Sequence, residues 1–160
     1  MLRFTLDLSP LGQALSALEQ NLDTAMAAAL HDAGSMVANE ARSNHAFTDR
    51  TGALSRSIHA QPVDGSFTGR NLTVDVVADT PYARFVEDGT RAHEIRARNA
   101  RTLKFRGRDG RWVFRRRVQH PGTKPYLYLK GALARLFPQV RERSERGLAI
   151  AFERSGFEIA

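Results

Sequence analysis

Five histidines, one adjacent pair of carboxylates and a dense run of arginines are the residues here whose types and spacing bear on chemistry. The histidines are His31, His45, His59, His93 and His120. No two of them have the spacing of a zinc-binding helix with a glutamate in place, and His93-Glu94 lacks the second histidine. There is no Gly-x-Ser-x-Gly elbow, no glycine loop shaped to cradle phosphate, and no pair of carboxylates on a shared face. Glu87-Asp88 comes immediately before Gly89 and reads as a turn with local hydrogen bonding. The chain has no cysteine, so it has no disulfide, thiolate nucleophile or thiolate metal site. The reading is of a non-enzyme that needs no metal and no cofactor.

The arginines carry the stronger signal. Residues 91–117 hold eleven Lys/Arg (Arg91, Arg96, Arg98, Arg101, Lys104, Arg106, Arg108, Arg111, Arg115, Arg116, Arg117) against Glu94 and Asp109, a net charge of +9. The remainder holds 13 Lys/Arg against 15 Asp/Glu, a net −2. A near-neutral body with a cationic arm seeks phosphates, an acidic protein surface, or both. Ten of the eleven are arginine, which suits planar, bidentate recognition better than lysine does. Phe105, Trp112 and Phe114 interleave with them, as in backbone-binding or base-stacking surfaces. No helix-turn-helix, zinc-finger or RNA-binding-sheet signature accompanies them, so nucleic-acid binding here would be blind to sequence. The other reading is docking on protein, with the apolar seam against a neighbour and the arginines meeting acidic groups.

The elements that position this segment follow from periodicity. The chain is read as a single domain over 1–160, with the arm at 91–118. Leu2, Phe4, Leu6 and Leu8 alternate with polar residues and predict a strand over 2–8. That segment does not read as a signal peptide, and no later run is long enough to span a bilayer, so no membrane partner is expected. Ser9-Pro10 predicts a helix start. Leu11, Leu15, Leu18, Leu22, Met26, Ala29, Ala33, Met36 and Val37 then line one face of a helix reaching about Ser43. The segment Thr51 to Ile58 leads into a first main strand, and Leu72, Val74 and Val76 mark a second. Tyr82 to Val86 reads as a short third strand or a strand–helix junction. Leu103–Arg106 and Trp112–Arg115 flank Asp109-Gly110, which predicts a tight hairpin with Phe105 opposite Phe114, Arg106 beside Val113 and Lys104 beside Arg115. Pro121 and Pro125 punctuate the exit. Tyr126, Leu129, Leu133, Leu136 and Phe137 share a helical face, Pro138 breaks or kinks that helix, and a last helix runs from about Gln139 to Arg154. The expected class is α+β: a central antiparallel sheet, a long N-terminal helix, a projecting basic β-hairpin, and C-terminal helices on one side of the sheet.

Four stretches carry a family resemblance. Arg50-Thr51-Gly52-Ala53-Leu54-Ser55-Arg56-Ser57-Ile58 and Tyr82-Ala83-Arg84-Phe85-Val86-Glu87-Asp88-Gly89-Thr90 come first. His93-Glu94-Ile95-Arg96 with Ala100-Arg101-Thr102-Leu103-Lys104-Phe105 follows, then Val118-Gln119-His120-Pro121-Gly122-Thr123-Lys124-Pro125-Tyr126-Leu127. In this order they resemble the tail-component family of long-tailed bacteriophages, small proteins of the neck that complete the tail and join it to the head. The resemblance covers roughly residues 10–150. It implies a structural virion protein of the tail-completion or tail-terminator type, assembled in the host cytoplasm. It implies a homo-oligomeric ring, commonly hexameric, between the head connector or stopper protein and the tail tube protein, with possible nonspecific contact with packaged DNA.

The residues expected at the subunit interface are Tyr82, Phe85, Glu87, Asp88, Gly89, Thr90, Phe105, Trp112, Phe114, His120, Pro121, Gly122, Pro125 and Leu127. Glu87-Asp88 is expected to form an acidic ledge receiving a neighbour's arginines. Arg96, Arg98, Arg101, Lys104, Arg106, Arg108, Arg111, Arg115, Arg116 and Arg117 form the arm that would meet DNA or an acidic partner. The alternative is a small sequence-nonspecific nucleic-acid-binding protein using the same hairpin.

Overall fold

A computed structural model describes residues 7–156 of the chain. Its contacts divide the protein into two compact units, Met1–Thr80 with Tyr128–Ala160, and Pro81–Leu127. Most of the strand expected over 2–8 lies outside the described residues; Asp7 and Leu8 are not in a strand.

The first unit is built on two long helices, α1 (Ser9–Ser43) and α4 (Tyr128–Arg154). At the start of α1 the Asp7 carboxylate accepts the Ser9 N–H at 2.9 Å and its hydroxyl at 2.6 Å. Small residues form the α1–α4 seam. Ala25, Ala33 and Ala41 of α1 are buried, as are Ala132, Gly147 and Ala151 of α4. A Cβ at Gly147 would stand 2.8 Å from that of Ala29, so the glycine sets how closely the helices approach. The helices run antiparallel, as their cross-links show: Glu40 with Arg135 (2.7 Å), Asp32 with Arg143 (3.4 Å) and Asn21 with Ser155 (2.9 Å).

Pro138 does not end α4, contrary to the sequence expectation of two helices. A helix-interior proline costs about 3 kcal/mol through its missing N–H and the ring clash. Its ring is exposed, and buried packing against α1 resumes on both sides of it, at Ala132 and at Gly147 and Ala151.

A short helix, α2 (Ala53–Ser57), leads into β1 (Ile58–Ala60), which pairs antiparallel with β2 (Val76–Ala78). The pairing resumes beyond β1 as a bridge between Asp64 and Thr73. The loop between them is fastened to α1 by Asp23, whose carboxylate accepts the Ser66 hydroxyl (2.9 Å), the Thr68 N–H (2.9 Å) and the Thr68 hydroxyl (3.1 Å). The Thr68 N–H is the main cause holding the Asp23 carboxyl below its usual range. A depressed folded-state value stabilises above the unfolded value and loses that contribution as pH falls through it. Amide protection in 66–73, taken relative to the intrinsic exchange rate at each pH, should therefore fall below about pH 4, and Asp23→Asn should bring that loss to neutral pH.

Leu54 is 1% exposed and Ile58 0%, and they anchor this unit. Leu54→Ala should cost about 2–5 kcal/mol in denaturant melts, the range for a buried leucine whose cavity collapses only partly.

The second unit opens with α3 (Ala83–Glu87), so the segment read as strand or junction is helical. The Tyr82 carbonyl accepts the N–H groups of Phe85 and Val86, closing the turn. Four strands follow: β3 (His93–Arg96), β4 (Leu103–Arg106), β5 (Trp112–Arg115) and β6 (Arg117–His120). β3 pairs with β6, and β4 with β5, both antiparallel. The protein is α+β, but in place of one central sheet the described residues form three separate two-stranded pairs.

Candidate interface: the basic ribbon

The ribbon is founded on two Gly-Thr dipeptides, 33 residues apart in the chain, that the fold brings face to face. Thr90 and Thr123 exchange both backbone hydrogen bonds at 3.0 Å, and their hydroxyls are 3.1 Å apart. Gly89 (φ +70°) and Gly122 (φ +90°) turn the chain on either side of that pair. A Cβ on Gly89 would lie 2.5 Å from the Thr123 carbonyl oxygen, and one on Gly122 would lie 2.3 Å from that of Thr90. Both positions are closed to a side chain by backbone as well as by conformation. The Tyr126 and Leu127 N–H groups bond the Val86 and Glu87 carbonyls at 3.0 and 3.1 Å, so 125–127 returns to the end of α3. Leu127 holds a left-handed φ of +50°, uncommon for so bulky a residue.

From the Thr90–Thr123 pair the ladder runs outward through His93↔His120 to Arg96↔Arg117. The two imidazoles are 5.2 Å apart, and the His120 Nδ1 accepts the Gly122 N–H at 3.1 Å. After Ala97 N–H bonds the Arg116 carbonyl, residues 98–102 loop out with no counterpart on the returning strand. Pairing resumes at Leu103↔Arg115. At about 3.3 Å per residue, β5 and β6 together, Trp112 to His120, span at most roughly 26 Å.

The hairpin register differs by one residue from the sequence expectation. The observed pairs are Lys104↔Phe114, Phe105↔Val113 and Arg106↔Trp112. The cause is the turn. Gly107 N–H bonds the Arg111 carbonyl (2.8 Å), Gly110 N–H bonds that of Gly107 (3.0 Å), and Gly110 takes φ +75°. This is a three-residue loop closed by a left-handed glycine, not a two-residue Asp-Gly turn. One residue of slip moves a side chain to the other face. Phe105 and Phe114 therefore do not form one seam. Leu103, Phe105 and Val113 share one face, with Arg115. Lys104, Arg106, Trp112 and Phe114 share the other. On that second face Lys104 Nζ sits 4.4 Å from the Trp112 ring centre and 5.9 Å from that of Phe114, and the Arg106 guanidinium sits 4.8 Å from Trp112.

Both acids of the segment are engaged within it. Glu94 meets Arg96 and Arg117, the latter at 3.8 Å, and Asp109 caps the turn through the Arg111 N–H at 3.1 Å. Arg98, Arg101, Lys104, Arg106, Arg108, Arg115 and Arg116 meet no carboxylate among the described residues. No residue from Arg91 to Leu127 is buried. A two-stranded ribbon without a core is marginal alone and gains stability from whatever covers it.

The other sequence-chosen positions divide. Tyr82 and Phe85 are exposed, and Pro121 and Pro125 lie on the surface of the turns. Glu87 is only 7% exposed, which corrects the expectation of a two-carboxylate ledge: the exposed acid is Asp88, 3.7 Å from Arg84. Neither the β3–β6 pairing nor the meeting of the Gly-Thr dipeptides was read from the sequence. The repeated dipeptide and the apolar Ile95 and Val118, at matching distances from it, were the available signal.

Among the described residues, Ser55 Oγ and His45 Nε2 approach as a nucleophile and a base would, at 3.4 Å. The nearby Asp49 bonds the Ser55 N–H (2.8 Å) instead of the imidazole, whose Nδ1 meets the Phe47 carbonyl, so no serine triad is assembled. Among the described residues no three His, Asp or Glu are grouped to hold a metal, and no helix is long and apolar enough to cross a membrane.

Compared with known families, residues 10–89 match the one described as "Bacteriophage HK97-gp10, putative tail-component". The match covers half of the chain, and the protein belongs to this HK97-gp10-like family of phage tail components. It begins in the first turn of α1 and stops at Gly89, the first of the two ribbon glycines. No curated protein and no solved structure matches the chain.

Proposed function

We propose that this chain is a non-enzymatic protein of the phage head–tail neck, of the tail-completion or tail-terminator type. In this reading both units act as one tail-completion-like domain. Copies form a closed ring, commonly six-fold, that joins the tail tube to the head connector. The protein assembles in the host cytoplasm and resides in the virion neck.

Family membership supports a tail role. The observation that carries the ring is the ribbon itself: four short strands with no buried residue, and a face on which Leu103, Phe105 and Val113 stand beside Arg115. Repeated head-to-tail around a circle, a surface of this kind laid on the next subunit closes a ring by a heterologous contact. Tyr82, Phe85 and Asp88 lie on the same unit as the ribbon and are proposed to share in that contact.

Quantitative mass spectrometry of purified virions tests the reading. About six copies per particle are expected for a closed ring of this symmetry. Absence from the virion, or copies at the stoichiometry of the tube protein, would contradict it.

A further inference from the structure

We propose that the outer ribbon is a sequence-blind contact site for the phosphate backbone of duplex DNA. The proposal stands on the ribbon alone, whether or not the chain sits in a neck ring. Its first basis is the face that carries Lys104, Arg106, Trp112 and Phe114. Trp112 and Phe114 are 53% and 54% exposed, yet Lys104 and Arg106 lie over the Trp112 ring. Cation–π contact holds those charges in place. The face thus presents cations resting beside two exposed rings, with no carboxylate among them to compensate the charge, the materials of a phosphate-backbone contact.

The second basis is that the charge is not one-sided. Arg108 stands at the turn and Arg115 projects from the opposite face. The major groove of B-form DNA, about 12 Å wide, admits a two-stranded ribbon and lines both of its edges with phosphates. The third basis is that nothing opposes the approach. Glu94 and Asp109 are the only acids of the segment, and each is already engaged by its own arginines or the turn. Arginine forks suit phosphate oxygens in bidentate fashion.

The ribbon supplies its own probe, because Trp112 is the only tryptophan of the chain. The purified full-length protein is titrated with a 20-base-pair duplex of arbitrary sequence, following Trp112 fluorescence at several salt concentrations. A saturable change is expected. For about eight phosphate contacts, affinity should fall on the order of 10⁴-fold between about 50 and 200 mM salt. Replacing Lys104, Arg106 and Arg108 together by glutamine should lower the log–log salt slope by about three. These side chains are exposed, and an unchanged circular dichroism spectrum shows that the fold is kept. Arg141→Gln with Arg154→Gln on α4 should leave the slope as it was. Absence of a fluorescence change at low salt, or a slope that the ribbon variants do not move, overturns the proposal. Tighter binding of poly-glutamate than of the duplex, at equal charge and the same salt, also overturns it and reassigns the face to an acidic protein partner.

Discussion

Gly122→Val should unseat the ribbon while the unit built on α1 and α4 stays folded. At φ +90° a β-branched side chain is strained wherever it stands, and here its Cβ would lie 2.3 Å from the Thr90 carbonyl oxygen and 2.9 Å from the Arg91 carbonyl carbon. These neighbours are backbone and cannot rotate away. The Thr90–Thr123 pair must open, which carries the whole outer ribbon with it. Gly89→Val attacks the same pair from the other strand, 2.5 Å from the Thr123 carbonyl oxygen. A local cost of about 3 kcal/mol follows from left-handed strain plus backbone collision, corresponding to roughly 100-fold less amide protection at Thr90 and Thr123. The Leu54 core lies in the other unit and should melt as before. Infectivity should be lost in both variants. A melting curve, exchange profile and infectivity identical to the parent protein would show that the base of the ribbon does not matter.

Replacing Arg115, Arg116 and Arg117 by glutamate should abolish joining without unfolding the protein. All three are exposed, and no buried group depends on them. Three reversals take the 91–117 segment from +9 to +3, since each exchange removes one positive charge and adds one negative. At position 117 the new carboxylate would also face Glu94, now 3.8 Å from the Arg117 guanidinium. If each reversal costs a little over 1 kcal/mol at a contact with an acidic or phosphate partner, the sum of about 4 kcal/mol weakens that contact on the order of 10³-fold. Complementation of a phage lacking the native gene, with thermal melts of the purified variant, separates assembly from stability. Retained infectivity would exclude the ribbon as the joining surface.

The parts of the fold legible in the sequence are those with long, unambiguous periods. The three- and four-residue spacing from Leu11 to Val37 marks α1, and Ser43 is its last residue. Leu103–Arg106 and Trp112–Arg115 lie where alternation around a turn put them. The misses share a physical cause: each was decided by a neighbour absent from the local pattern. The hairpin register hung on whether Gly110 closed a two- or a three-residue loop, and Asp109-Gly110 fits either. Pro138 was read through its cost alone, while the α4 packing on both sides of it outweighs that cost. Glu87 and Asp88 look equivalent in sequence, yet α3 buries one and exposes the other. The cationic character of the ribbon needed no structure. Its two different faces did, because a slip of one residue exchanges which side chains stand together.

In the function proposed above, this tail component completes the neck. Electron microscopy of lysates from the parent phage with this gene disrupted tests it most directly. DNA-filled heads lying apart from tails, or tails of uncontrolled length, are expected, the first marking a joining role and the second a terminator. Normal, infectious particles in those lysates would contradict it.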